Sequence, residues 1–203
     1  MTPRAYRSTV RESAAAATRA AILDTAEVLF AEHGYPHVTI KRIADQAGVA
    51  PGTVYATFGA KPALVTALTA RAAGDPGIGE VLAAVESATS GQEVLRLVVR
   101  QTCDLVRHHH RTMTVLADAA AVDQDIADLL RETEDLQRAR FTEVAEQLEH
   151  LGALRPGVTP RDAVRILEYF VTPPSWHRML HIGWDWESAH MFLREAVCAA
   201  LLR

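Results

Sequence analysis

Residues 39–61, TIKRIADQAGVAPGTVYATFGAK, place two short apolar-periodic runs on either side of a glycine. Thr39 is a helix cap, and the spacing of Ile43, Ala44 and Ala47 predicts a short helix with those residues facing inward. Gly48 supplies the left-handed backbone that a tight turn requires. Pro51, suited to a first helical turn, opens a second short helix through Tyr55 to about Phe58. Upstream, Thr18 caps a helix in which Ile22, Ala26, Leu29, Phe30 and His33 recur at helical spacing, until Gly34 and Pro36 end it. Downstream, a further helix runs from Lys61 to about Ala73.

The rest of the chain keeps the same periodicity, and no stretch alternates with period two long enough to read as a strand, so the expected fold is all-α. Gly74-Asp75-Pro76-Gly77 is the strongest punctuation and the expected hinge. The organisation read from it is a flexible N-terminal arm (1–17), a helical head (18–68) and a helical body (69–203). Body helices are expected at about 78–88, 91–109, 112–121 and 123–151. Another opens at Thr159-Pro160 and stops or kinks at Pro173-Pro174, and the last runs from about 186 to 202. A chain of 203 residues can bury one good core or two small ones. Its two cysteines, Cys103 and Cys198, lie far apart in sequence, which fits a reducing compartment and no disulfide framework. No apolar signal region or long apolar span is present, so a cytoplasmic location without membrane contact is expected.

Charge is unevenly placed. Residues 1–71 carry eight Lys/Arg against five Asp/Glu, net +3, whereas residues 72–203 carry thirteen against twenty, net −7. A mildly basic head on an acidic body suits a head that meets a polyanion. The 39–61 string has the form of a helix-turn-helix, whose second helix must be short, exposed and small at its start so that its amides and dipole meet phosphate. Gly52 and Thr53 satisfy that demand. Tyr55 and Lys61 add a phenol and a cation at the groove's edge, Lys41 is a candidate base or phosphate contact, and Thr57 completes the DNA-binding set.

These residues resemble the TetR family of bacterial regulators. The shared pattern is Gly34, Thr39, Ile43-Ala44, Ala47-Gly48-Val49, Gly52-Thr53, Tyr55, Phe58 and Lys61, and it covers residues 18 to about 68. Ala50, Thr57 and Pro62 depart from the family's usual Ser, His or Tyr, and acidic residue. The resemblance implies DNA contacts by Thr53, Tyr55 and Lys61, a phosphate-holding role for Thr39, and a core place for Phe58. It also implies a homodimer bound to a near-palindromic double-stranded operator, with repression relieved when a small-molecule effector binds the body.

The expected dimer seam takes the apolar faces of Val164, Leu167, Phe170 and Val171 with Phe192, Leu193 and Val197. The expected effector site, for a hydrophobic or aromatic compound, draws on Cys103, Val106, His110, Met113 and Leu116, with Trp176 or His177 near its mouth. His108, His109 and His110 point about 100° apart on a helix and do not converge on one ion, so neither a metal nor a cofactor is expected. No phosphate loop, nucleophile elbow or carboxylate pair argues for an enzyme. Two alternatives stay open on sequence: a regulator of this type without a ligand, and a helical hydrolase or carrier with an accidental helix-turn-helix match.

Overall fold

A computed structural model describes the backbone of residues 3–203 and the side chains from Glu12 onward. The described residues form α-helices α1 (Pro3–His33), α2 (Ile40–Ala47), α3 (Pro51–Phe58), α4 (Lys61–Ala73), α5 (Pro76–Ser87), α6 (Gly91–Ala120), α7 (Gln124–His150), α8 (Pro160–Phe170), α9 (Pro173–His181) and α10 (Trp186–Leu201), with a 3-10 turn at Tyr35–His37. Among these residues there is no strand. One isolated bridge, Leu154 to Leu202, ties the loop after α7 to the end of α10.

Two boundaries differ from the sequence reading. The first helix starts at Pro3 instead of Thr18, because the alanine tract before Thr18 is the best helix-forming sequence available. Thr18 is therefore interior, and its hydroxyl donates to the Ala14 carbonyl at 2.9 Å. Residues 3–17, expected as an arm, are helical in backbone; Met1 and Thr2 lie outside the described residues. The helices expected at 91–109 and 112–121 are one helix, α6, bent at His109 (φ −114°, ψ 17°). No proline or glycine stands there to end it.

The chain divides into two compact units. The first runs to Arg71 and takes in Arg111–Leu130; the second holds Ala72–His110 and Arg131–Arg203. The end of α6 and the start of α7 thus join the first unit, where the sequence reading had a continuous body from 69. Val115, Leu116, Ala119 and Ile126 are buried in one cluster with Ile22, Leu29, Phe30, Ile43, Val54 and Leu64. Each of the valine, leucine, isoleucine and phenylalanine side chains contributes about 1.5–3 kcal/mol by leaving water. In the same unit the Glu27 carboxylate accepts from Arg71 Nη2 at 2.8 Å and from Thr112 Oγ1 at 2.5 Å, linking α1, α4 and α6.

The second unit buries Val94, Leu95, Val98 and Val99 of α6, Phe141, Val144 and Leu148 of α7, and Trp176 of α9. Gly91 starts α6 where a Cβ would stand 2.6 Å from the Ala153 side chain, so only glycine fits. A capping box at Thr159 and Asp162 starts α8, and Asp185 caps α10. α8 packs on α10. Leu167, Val171, Leu193 and Val197 are 0–1 % exposed and belong to the unit's own core. The helical spacing that marks them apolar does not say which apolar face a partner meets. Val164 and Phe170 are half-buried, Phe192 is 46 % exposed, and Tyr169 and Met191, which the sequence reading left out, are 74 % and 45 % exposed.

Candidate nucleic-acid interface

The helix-turn-helix is built as its residues dictate. Thr39 sits in extended backbone and its Oγ1 accepts from the Arg42 amide at 3.2 Å, capping α2. Gly48 ends α2 at φ 69°, and the Val49 amide reaches back to the Ala44 carbonyl at 3.0 Å. Extended Ala50 then leads into Pro51 at the start of α3. Ile43, Ala44 and Val54 are fully buried, which locks α2 against α3 and leaves their other faces outward.

On that outer surface lie Lys41, Gly52 and Tyr55, the last 57 % exposed. Thr53 and Thr57 are half-buried, and the Thr57 hydroxyl donates to the Thr53 carbonyl at 2.7 Å. A Cβ built on Gly52 meets nothing within 4 Å, so the fold itself makes no demand for glycine there. Ala50 offers no side chain to cap α3, and the first-turn amides of that helix receive none of the stabilisation that Thr39 gives α2.

Lys61 is placed differently from its neighbours in the set. Its Nζ donates to the carbonyls of Tyr35 (2.9 Å) and Val38 (3.3 Å) and lies 4.1 Å from the centre of the Tyr35 ring. Burial lowers the ammonium's pKa, and Asp123 works against that shift. Asp123 also accepts from the Tyr35 hydroxyl at 2.8 Å; burial first, and then this bond, raises the phenol's pKa. Lys61 thus holds the 3-10 turn. Phe58, expected as core, is half-buried at the core's edge.

Arg19 was missed. Its Nη1 donates to the Thr57 carbonyl at 3.3 Å and its guanidinium lies 4.3 Å from the centre of the Phe58 ring, so it clasps the C-terminal end of α3 from α1. A lone arginine beside an alanine run gives no such signal in sequence.

The expected effector residues are drawn from both units. Cys103, Val106 and Trp176 are buried and His177 half-buried in the second unit, where His110 is exposed; Met113 and Leu116 belong to the first unit. In the second unit, Trp176 Nε1, His177 Nε2 and both ring nitrogens of His190 are buried with no hydrogen-bond partner. Burial pushes both imidazoles below their usual pKa. His190 is a second omission of the sequence reading, which took the last helix for its apolar face alone. His109 is paired with Asp75 at 3.0 Å, and no group of three His, Cys, Asp or Glu among the described residues is placed to hold a metal ion.

This geometry defines a helix-turn-helix DNA-binding class, and the comparisons agree. Residues 22–68 match the family model described as bacterial regulatory proteins, tetR family. Among curated proteins, the chain is 26 % identical over 160 residues to the HTH-type transcriptional repressor KstR2 of Mycobacterium tuberculosis, covering 78 % of each. Among solved structures it is similar to NalD, the secondary repressor of the MexAB-OprM multidrug efflux pump in Pseudomonas aeruginosa (26 % identity, 94 % of this chain and 98 % of that one, TM-score 0.74). It also shares the fold of SmeT in a triclosan complex (24 % identity, 92 % of each, TM-score 0.72). The chain thus carries a TetR-type DNA-binding domain at residues 22–68 and is similar to transcriptional repressors over most of its length. Among the described residues no helix is long and apolar enough to cross a membrane.

Proposed function

We propose that the protein is a cytoplasmic homodimeric repressor that binds a near-palindromic operator through α2 and α3 and is released by a small apolar effector held in the second unit. The observation that carries the DNA reading is the outer surface of the helix-turn-helix: uncapped α3, open space at Gly52 and the exposed Tyr55 phenol, beside Lys41. Amides at a helix start and small side chains suit close approach to phosphate. Thr39, Thr53 and Thr57 flank this surface, while Lys61 supports it from behind. KstR2 and NalD, each named a repressor, favour repression over activation.

The buried, unpartnered Trp176, His177 and His190 nitrogens support the effector reading, because such groups cost free energy until something bonds to them. The proposed site draws on them together with Cys103 and Val106, apolar walls with a few polar points being what a small-molecule site requires. The triclosan complex shows that a protein of this fold holds an apolar phenol. Since a ligand moves an equilibrium only by its differential affinity, the effector fits the form that does not bind DNA. Dimerisation is assigned to the exposed side of α8 and α10, at Val164, Tyr169, Phe170, Met191 and Phe192.

Fluorescence anisotropy on DNA fragments recovered by selection from the source genome tests the interface. Thr53→Ala and Tyr55→Phe are expected to weaken binding about three- to thirtyfold at fixed salt with helicity unchanged, as for single lost hydrogen bonds to a charged partner. Unchanged affinity in both variants places the DNA surface elsewhere.

A further inference from the structure

Polar side chains are scarce in the interior of the second unit. Among the described residues the buried polar ones are Thr69, Thr102, Thr112 and His190, and none is a lysine, arginine or carboxylate. Thr69 and Thr112 belong to the first unit, and the Thr102 hydroxyl donates to the Val98 carbonyl at 2.9 Å. His190 is left, 8 % exposed, with neither ring nitrogen partnered among the described residues. Trp176 Nε1 and His177 Nε2 share that condition, and Trp176 is fully buried.

These groups are strung along one side of α6. A Cβ on Gly91, where α6 begins, would stand 2.8 Å from the Leu202 side chain, just past the end of α10. Further along α6, Arg100 and Asp104, together with Glu187 at the start of α10, act electrostatically on both Cys103 and His190. α10 therefore runs back along α6. His110, near the bend, acts in the same way on His177 of α9. The Trp176 ring lies 6.2 Å from that of Trp186, and His190 follows Trp186 by one helical turn on the same side of α10. From Arg100 to His110 the helix covers about 15 Å, so the unpartnered nitrogens are spread out and do not bond to one another.

Their chemistry restricts what can complete them. Burial lowers the pKa of both imidazoles, and a neutral imidazole presents one donor and one acceptor on different edges of the ring, whereas an indole only donates. A hydrocarbon completes neither. A carboxylate only accepts and an ammonium only donates, and each would enter an interior without a buried opposite charge, at a large desolvation cost. A hydroxyl both donates and accepts.

We propose that the effector is an uncharged, hydroxyl-bearing compound on an apolar frame and that His190 selects it, bonding to it through both ring nitrogens while Trp176 Nε1 donates to one of its oxygens. This rests on the effector reading of the second unit and adds to it the ligand's polar chemistry and the residue that reads it.

The test uses naphthalene and biphenyl, each as the hydrocarbon, the diol, the carboxylate and the aminomethyl cation, with binding to the full-length protein measured by equilibrium dialysis at pH 7.5. The diols are expected to bind about ten- to a hundredfold more tightly than the other forms, as for groups that satisfy otherwise unmade buried hydrogen bonds. His190→Phe is expected to erase that preference while taking up the hydrocarbons at least as well as wild type, which also reports an intact fold. His190→Gln, whose amide both donates and accepts, keeps the preference. Diols that bind wild type no more tightly than the other forms, or a preference that survives His190→Phe, overturn the proposal while leaving an effector site in the second unit. If His190→Phe does not fold, the comparison among the forms in wild type decides alone. Wild type that takes up none of the probes overturns the effector reading as well.

Discussion

Gly52 separates what the fold needs from what the partner needs. Open space at its Cβ and a helical position mean that alanine fits there, and replacing glycine by alanine inside a helix stabilises by about 0.5–1 kcal/mol. Gly52→Ala is therefore expected to raise the melting temperature slightly while lowering DNA affinity about tenfold or more, measured by calorimetry and anisotropy on one preparation. A variant that binds DNA as well as wild type would show that no backbone approaches position 52. At this scale the sequence was legible where the chemistry is local. The Thr39 cap, the left-handed Gly48 and Pro51 at the helix start follow from neighbours within four residues. Lys61 and Arg19 were not, because their partners lie 23 or more residues away and nothing local distinguishes a cation that meets a carbonyl from one that meets a phosphate.

Among the elements, α2 and α3 have the predicted bounds, since caps and breakers frame them closely. α1 and α6 run longer than expected, because Thr18 and the residues around His109 are weak stops set in strong helix formers. α9 and α10 carry the buried His177 and His190, whose pKa values burial lowers; His110 adds to the shift at His177, while Arg100 and Arg194 lower and Glu187 and Asp104 raise that of His190. A folded-state value below the unfolded one means that the unfolded chain binds more protons in between. The stability these neutral rings permit is complete above about pH 6.5 and is lost as pH falls through the folded values. The melting temperature is expected to drop between pH 7.5 and pH 5.5, and His190→Phe to flatten that dependence. An equally steep profile in the variant would mean that His190 is not protonated on unfolding.

For the whole molecule, the helical class was legible from periodicity. The assignment of 111–130 to the first unit was not, because one continuous helix serves two cores and its apolar stripe does not record which. The same limit applies to the expected dimer seam, of which Leu167, Val171, Leu193 and Val197 are buried within the single chain. The exposed Tyr169 and Phe192 mark the outer face, so Tyr169→Glu with Phe192→Glu is expected to give folded monomers in sedimentation experiments, with operator affinity lowered at least about a hundredfold as half of the contacts are lost. An intact dimer would assign the seam to other surfaces. The central claim, that this chain reads a DNA sequence with α2 and α3, is tested most directly by comparing affinity for a genome-selected fragment with that for a scrambled duplex of equal length at 0.15 M salt. The account predicts a preference of about a thousandfold or more, sharply reduced by Gly52→Ala; equal affinity for the two duplexes would contradict it.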